Sequence, residues 1–338
     1  MRAPKQGIIY QEKLIAPRHF VRFSTPADVA LYRAERLKCN TLLEIGSGIG
    51  GQTIAFSKTC KKVIAVEMNP EQAEILTKNL AILGIKNVEV IADDAMKDST
   101  VKQIKGFKPD IIFCDTERAE SGERGIDGLK PDLRKFLEVY GKITDKIAME
   151  IPPFTNDLDR LKEDFEKEFI SLYGELNRLT LYFNGLKKAS TSAIALPSKT
   201  KIENKNAKKV ELANSAGEFS YLYTIDPALF MAGLINELAS QFKVQLIEMN
   251  KKSYLLSKEK IESDFLDGYK ILAVCENKFE DILSELKKLD AKSVVLRYSV
   301  PPKEYWNERK RYESQLKGTR KVHLFVNREA VLCESLSY

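Results

Sequence analysis

Histidine, tryptophan and paired cysteine are scarce in this chain of 338 residues. Two histidines, His19 and His323, and five scattered cysteines, Cys39, Cys60, Cys114, Cys275 and Cys333, include no C-x-x-C pair. That leaves no zinc-ligand spacing and no disulfide framework, so no metal is expected. No run approaches the ~18 apolar residues of a membrane span, and no membrane partner is expected either. The segment Met1-Arg2-Ala3-Pro4-Lys5-Gln6-Gly7 lacks the apolar core and small-residue cleavage site of a signal peptide, which points to the cytoplasm. Internal repeats and low-complexity tracts are also missing. Charge of one sign does not dominate: 54 Lys and Arg stand against 48 Asp and Glu, a net +6. An excess that mild informs only if the positive charge is concentrated. What is present is globular material, 43% hydrophobic and 30% charged, which excludes extended disorder and fibrous repeats. At ~150 residues per domain the length suggests about two domains.

Along the first half, short apolar runs alternate with helical stretches. Asn40 to Gly46 reads as a strand running into Ser47-Gly48-Ile49-Gly50-Gly51 and then a helix; Lys62–Glu67 is a second strand, Asn69-Pro70 to Leu83 a helix, and Val88–Ala92 a third strand. Pro109–Asp115 and Lys146–Ile151 supply two more. This alternation predicts an α/β, Rossmann-like parallel sheet with helices on both faces. After Pro152-Pro153 the sequence predicts a charged helix from Leu158 to Lys167. Phe169–Tyr173 and Arg178–Phe183 then form an antiparallel hairpin closing the sheet edge, and Ala193–Leu196 offers a further strand. The polar, lysine-rich stretch from Lys199 to Lys209 is the best linker. Beyond it, Asp226-Pro227 starts a helix running to about Phe242, and the remainder reads as a smaller α+β domain with a basic helix around Tyr305 to Leu316. The expected division is 1–205 with an N-terminal helical extension, and 206–338.

The glycines fit two cofactors. Gly46-x-Gly48-x-x-Gly51 satisfies the dinucleotide fingerprint, and Gly46-x-Gly48-x-Gly50 satisfies the loop that binds S-adenosylmethionine (SAM). Glu67, ending the second strand, suits ribose hydroxyls in both. Glu44 discriminates, because a carboxylate two residues before the first glycine repels a pyrophosphate but accepts the ammonium of a methionine moiety. A third acid in Asp93-Asp94-Ala95 suits the exocyclic amine of adenine.

The motifs Leu43-Glu44-Ile45-Gly46-Ser47-Gly48-Ile49-Gly50, Val66-Glu67-Met68-Asn69-Pro70 and Ala92-Asp93-Asp94-Ala95 resemble the first three motifs of class I SAM-dependent methyltransferases. The resemblance implies SAM as cofactor, held by Glu44, Gly46, Ser47, Gly48, Gly50, Glu67, Met68, Asp94 and Ala95. In amino-methylating members the fourth strand ends in Asp/Asn-Pro-Pro-aromatic. Here it ends Asp115-Thr116-Glu117-Arg118, matching the acid and lacking the prolines and the aromatic. Asp115 is the catalytic candidate, as acceptor of an amine hydrogen bond or as base; an aspartate shaping its loop is the alternative.

A narrower resemblance rests on Phe23-Ser24-Thr25-Pro26, Asp115 with Arg118, Glu150-Ile151-Pro152-Pro153, Tyr173 to Tyr182 and Tyr223 to Ala228. It is to predicted methyltransferases of the trimethylguanosine-synthase branch that carry a C-terminal THUMP-like domain, and it implies an RNA substrate, tRNA or rRNA, methylated at a base nitrogen. Arg118, Pro152 and Phe154 are then substrate candidates, with Phe20 and Phe23 as further stacking aromatics; each aromatic is as readily core. In the second domain Arg309-Lys310-Arg311-Tyr312, preceded by Tyr305-Trp306 and followed by Lys317, Arg320 and Lys321, combines phosphate-pairing cations with stacking rings, although Glu304, Glu308 and Glu313 interleave as on a solvated helix. Lys199, Lys201, Lys205, Lys208 and Lys209 form a second positive stretch. A small-molecule or protein acceptor, and an RNA-binding protein that keeps SAM without turnover, are the other readings.

Overall fold

The computed structural model describes residues 14–21, 24–118 and 125–336. The chain divides at Glu203/Asn204 into two units. Among the described residues no helix is long and apolar enough to cross a membrane.

The first unit contains β1 (Thr41–Ile45), β2 (Lys62–Val66), β3 (Val88–Ile91) and β4 (Ile111–Asp115). A two-stranded ribbon follows, of β5 (Glu117–Arg118) and β6 (Leu129–Lys130), and then β7 (Ile147–Ile151), β8 (Phe165–Leu172), β9 (Glu175–Phe183), β10 (Thr191–Leu196) and β11 (Thr200–Glu203). The nine-stranded sheet has the order β11-β10-β8-β9-β7-β4-β1-β2-β3. Strands β3, β2, β1, β4 and β7 are parallel, and β9 enters antiparallel between β7 and β8. The central strands are buried along nearly their whole length, as parallel strands covered on both faces must be. One face packs the Ala27–Arg36 and Thr53–Thr59 helices through Ala30, Ala34, Ala55 and Phe56 onto Phe113 and Tyr182. The other packs the Pro70–Ile82 helix through Leu76 and Leu80 onto Ala65. Asn69 caps that helix, accepting from the amides of Glu71 and Gln72, with Pro70 at its first position.

Three expectations change here. The charged stretch 158–167 is not a helix: a single turn at Leu158–Arg160 leads into β8, because Glu166 and Glu168 alternate with strand period and both point inward to cations. The hairpin does not end the sheet, since β10 pairs parallel to β8 and β11 antiparallel to β10. The lysine-rich stretch is therefore partly strand: Lys199 pairs with Glu35, and Lys201 with Glu203, Glu166 and Glu168.

Those buried acids organise the unit. Arg36, from the Ala27–Arg36 helix, pairs with Glu166 at 2.7 Å and with Glu168, and its guanidinium lies 3.4 Å from the centre of the Tyr182 ring. Both glutamates are fully buried. Tyr32 and Tyr182 donate to Glu168 at 2.7 and 3.0 Å, and Ser192 to Glu166 at 2.6 Å.

The second unit is a seven-stranded, mostly antiparallel sheet: β12 (Tyr221–Ile225), β13 (Val244–Met249), β14 (Lys252–Ser257), β15 (Leu266–Glu276), β16 (Ala291–Leu296), β17 (Arg320–Val326) and β18 (Glu329–Ser335), in the order β13-β14-β12-β15-β18-β17-β16. Only β16 and β17 are parallel, joined through the Tyr305–Glu313 helix. One face carries that helix and Phe279–Lys288 over Val294, Val322 and Leu324. The other buries Tyr254, Tyr269 and Phe325. Asp226 caps its helix as expected, but the helix stops at Ala232, because Gly233 adopts φ +70° and a second short helix starts at Ile235.

Burial alone would raise the Glu166 carboxyl; Arg36, the Ser192 hydroxyl, the Lys188 amide and Lys201 hold it below the ordinary range. A lowered native value means that this stabilisation is present above the usual carboxylate range and is lost as the pH falls through the native value. Arg36→Met strands two buried carboxylates and lowers the unfolding free energy by about 3–5 kcal/mol in urea titrations. Adding Glu166→Gln and Glu168→Gln to it recovers most of that loss.

Candidate active site

The carboxyl ends of β1, β2, β3, β4 and β7 meet at one edge of the first sheet, where ligands of open α/β folds bind. Gly46, Gly48 and Gly50 turn the chain after β1 with φ of +79°, +53° and +101°. At Gly46 the approach is as demanding as the torsion: a Cβ there would stand 2.8 Å from the carbonyl oxygen of Asp115. The glycine therefore lets the loop touch the end of β4.

Glu67 ties this loop to the next. Its carboxylate accepts from the amides of Gly48 at 2.7 Å and Asn69 at 2.9 Å, and each oxygen keeps a lone pair for a further donor. Beside it Met68 is 74% exposed. After β3 the two aspartates divide. Asp93 is consumed by Thr100, Lys97 and the Asp94 amide. Among the described residues the Asp94 carboxylate accepts from the Met96 amide alone, at 2.8 Å through one oxygen. The Ala95 carbonyl is fixed by the Tyr140 hydroxyl at 2.6 Å.

Glu44 is 1% exposed. Its Oε2, like the Ser47 hydroxyl, is buried without a hydrogen-bond partner. Burial pushes the Glu44 carboxyl up to about 8 against the pull of the Thr53 hydroxyl, and Asp115 adds to the rise.

Asp115 pairs in register with Glu150 across β4 and β7, so the two carboxylates sit side by side on one face. Burial and Glu150 push Asp115 well above the carboxylate range, and Arg33 and Arg178 oppose. Both arginines pair with Glu150. Arg33 is fully buried, donates to Gln52 at 2.9 Å and Thr180 at 3.3 Å, and lies 4.7 Å from the Phe113 ring centre. Arg178 follows a bulge at Asn177, where the β8–β9 register slips by one residue; Asn177 Oδ1 is buried without a partner. Bulges of this kind re-aim side chains beside functional sites. Thr116, where the Pro-Pro-aromatic pattern is broken, turns back to the Glu150 carbonyl with its amide at 3.2 Å and its hydroxyl at 2.7 Å.

Ten candidates thus converge: Glu44, Gly46, Ser47, Gly48, Gly50, Glu67, Met68, Asp94, Ala95 and Asp115. Pro152 and Phe154 follow β7 at the same edge. The Pro152 carbonyl accepts from Thr155, and Phe154 is 55% exposed. Phe20 instead packs on Ile49 and Ile75, covering the glycine loop. Phe23 and the Arg118 side chain lie outside the described residues. Arg309 and Arg311, in the second unit, pair with Glu313 and Glu308 of their own helix. Sequence reasoning missed Arg33, Glu150, Asn177 and Arg178 as site residues. The available signal was a glutamate inside the apolar Ile-Ala-Met-Glu-Ile of β7.

A family model described as ribosomal RNA adenine dimethylase matches residues 19–151. The "Probable ribosomal RNA small subunit methyltransferase A" of Methanosphaera stadtmanae is 40% identical over 70 residues, 21% of this chain and 26% of that protein. An "Uncharacterized RNA methyltransferase" of Streptococcus mutans is 34% identical over 88 residues, 26% of this chain and 20% of the relative. The chain therefore spans about a quarter and a fifth of the lengths of these two curated relatives. The crystal structure of a presumptive methyltransferase from Porphyromonas gingivalis W83 aligns over 94% of this chain and 82% of that one, with a TM-score of 0.75 at 19% identity; it shares the fold. Sheet order, glycine loop and these similarities define the first unit as a class I SAM-dependent methyltransferase domain, related to ribosomal RNA adenine dimethylases and other RNA methyltransferases. The residues fit SAM, because the buried, unpartnered oxygens of Glu44 and Ser47 stand beside a loop whose glycines leave its backbone bare.

A raised native value for Glu44 means that the folded state binds the proton more tightly than the unfolded one, so this group's contribution falls as the pH rises from about 4 to about 8. Glu44→Gln accordingly raises the thermal midpoint of the cofactor-free protein at pH 9 and leaves it nearly unchanged at pH 4.

Proposed function

We propose that this protein transfers a methyl group from SAM to RNA, at a base nitrogen of a tRNA or rRNA. What carries the reading is Asp115, a carboxyl group without a hydrogen-bond partner among the described residues, at the touching point of β4 and the glycine loop, inside the segment that matches ribosomal RNA adenine dimethylase. When bound, SAM supplies an electrophilic methyl on its sulfonium. Glu44 and the Gly46–Gly50 backbone hold the methionine end, with Ser47 completing its polar contacts. Glu67 accepts from the ribose hydroxyls, Met68 covers the adenine, and Asp94 and the Ala95 amide read its edge.

Asp115 orients the acceptor by accepting a hydrogen bond from its amine, and takes the proton that the nitrogen loses. The positive charge of bound SAM would favour the ionised form of Asp115, and burial and Glu150 then strengthen its hold on the departing proton. The rest of the rate comes from alignment of nitrogen, methyl and sulfur. Arg33 and Arg178 act through Glu150 and fix the distance between the two carboxylates. Phe154 stacks on the base, with Pro152 shaping its turn and Arg118 pairing a flanking phosphate. The second unit docks the RNA as a THUMP-like module.

Holding the ammonium ionises Glu44, so SAM binding near pH 7 releases protons. The calorimetric enthalpy then varies with the ionisation enthalpy of the buffer, and Glu44→Gln removes that variation. Asp115→Ala keeps SAM affinity and loses turnover; unchanged methylation ends its assignment. The acceptor is tested with labelled SAM and total RNA. Label sensitive to RNase supports RNA, label surviving RNase supports a protein or small molecule, and RNA binding without label supports a non-catalytic binder.

A further inference from the structure

We infer that Arg297 and Lys321, on the sheet face of the second unit that bears His323 and Tyr269, form a contact site for the phosphodiester backbone of RNA. The inference rests on the RNA reading above and gives its docking surface an address. Arg297 follows β16 directly, its amide held by the Leu324 carbonyl at 2.8 Å. Its Nε donates to His323 Nδ1 at 3.0 Å, and its guanidinium lies 5.4 Å from the centre of the Tyr269 ring. Tyr269 and His323 are each 5% exposed. They are packed together with ring centres 5.1 Å apart, and Tyr269 packs on Phe325 and Phe325 on Tyr254. The cation is thus seated on a rigid aromatic floor while the residue itself is exposed.

Its partner does not neutralise it. Burial, Arg297 and Lys321 push His323 down to about 4, so at neutral pH the imidazole accepts from Arg297 as an uncharged group. Among the described residues no carboxylate stands within ion-pairing distance of Arg297 or Lys321. Asp267, two residues from Tyr269 on the same strand face, forms no ion pair with either. Arg309 and Arg311 differ in having glutamates of their own helix beside them, Glu313 at 2.7 Å and Glu308 at 3.8 Å. With Nε occupied by His323, the two terminal NH2 groups of Arg297 remain as a preoriented fork, the geometry that suits phosphate oxygens.

Register favours a polymer over a free anion. Ser293 pairs with Lys321 and Val295 with His323, which places Arg297 four positions beyond Lys321 on the same face, roughly 13 Å at the rise of a strand. Two cations that far apart touch different phosphates of one chain.

The full chain is titrated with a fluorescently labelled 20-nucleotide oligouridine over a range of salt concentrations. Arg297→Met, which keeps an unbranched side chain over Tyr269, and Lys321→Met, at an exposed site, are compared with wild type. SAM binding and thermal unfolding serve as the controls for folding. Each variant is expected to bind more weakly and to make the slope of log Kd against log salt shallower by about 0.7, and the double variant by about 1.4. If Arg297→Met does not fold, the Lys321→Met slope decides. Folded variants that keep wild-type affinity and slope overturn this site and leave the RNA reading standing. A wild-type chain that does not bind oligouridine overturns the site, and total RNA left unlabelled in the methylation assay overturns the RNA reading.

Discussion

A buried web of opposite charges between one helix and three neighbouring strands holds the catalytic edge of the first unit in place. Arg33 and Arg36 lie on the Ala27–Arg36 helix; Glu150, Glu166 and Glu168 lie on β7 and β8, and Thr180 and Tyr182 on the intervening β9. Every ion of this set is nearly inaccessible to water, so the web tolerates no loose geometry. A buried charge is affordable only when its partner and remaining hydrogen bonds are in position. The hairpin therefore cannot shift against the helix without stranding a charge. Glu150 belongs both to this web and to the active edge, and through it the packing of the scaffold sets the position of Asp115.

The same electrostatics explain why Glu44 and Asp115 lie so far from their ordinary ionisation. Glu44, Asp115 and Glu150 gather at the ends of adjacent strands, and only Arg33 and Arg178 oppose them. Both arginines are committed to Glu150, so Glu44 and Asp115 lack a dedicated cation and are raised by burial. Such a site is balanced by a ligand bearing positive charge, and SAM brings two, a sulfonium and an ammonium. An unpartnered, buried carboxyl oxygen on Glu44 favours a cationic group there over a pyrophosphate.

How much of this was legible depended on sequence distance. The glycine loop, the acid after β2 and the cap at Asn69 are local patterns, and the structure places them as the pattern demands. Arg33 and Arg36 are different. In Ala-Asp-Val-Ala-Leu-Tyr-Arg-Ala-Glu-Arg they read as a solvated helix face, and the partners that turn them inward are over a hundred residues away. For the same reason the stretch 158–167, with Glu166 in it, suggested a charged helix, although Glu166 and Glu168 alternate as in a strand with both acids facing one interior. The helix expected to run to Phe242 fails for a local reason, a left-handed Gly233. The bulge that aims Asn177 and Arg178 leaves no mark in composition at all.

Charge in the second unit carries the argument one step further, since the number of cations and their availability diverge. Arg309-Lys310-Arg311 stands out in the sequence because three cations are adjacent, yet the helical spacing also sets Glu313 four residues from Arg309 and Glu308 three from Arg311, at 2.7 and 3.8 Å. Arg297 draws no notice as one arginine at the end of an apolar strand. Its β-sheet setting supplies a neutral histidine and an aromatic ring in place of an acid, and so leaves its charge unspent. A net +6 says little about an anionic partner until the cations are sorted by what already holds them.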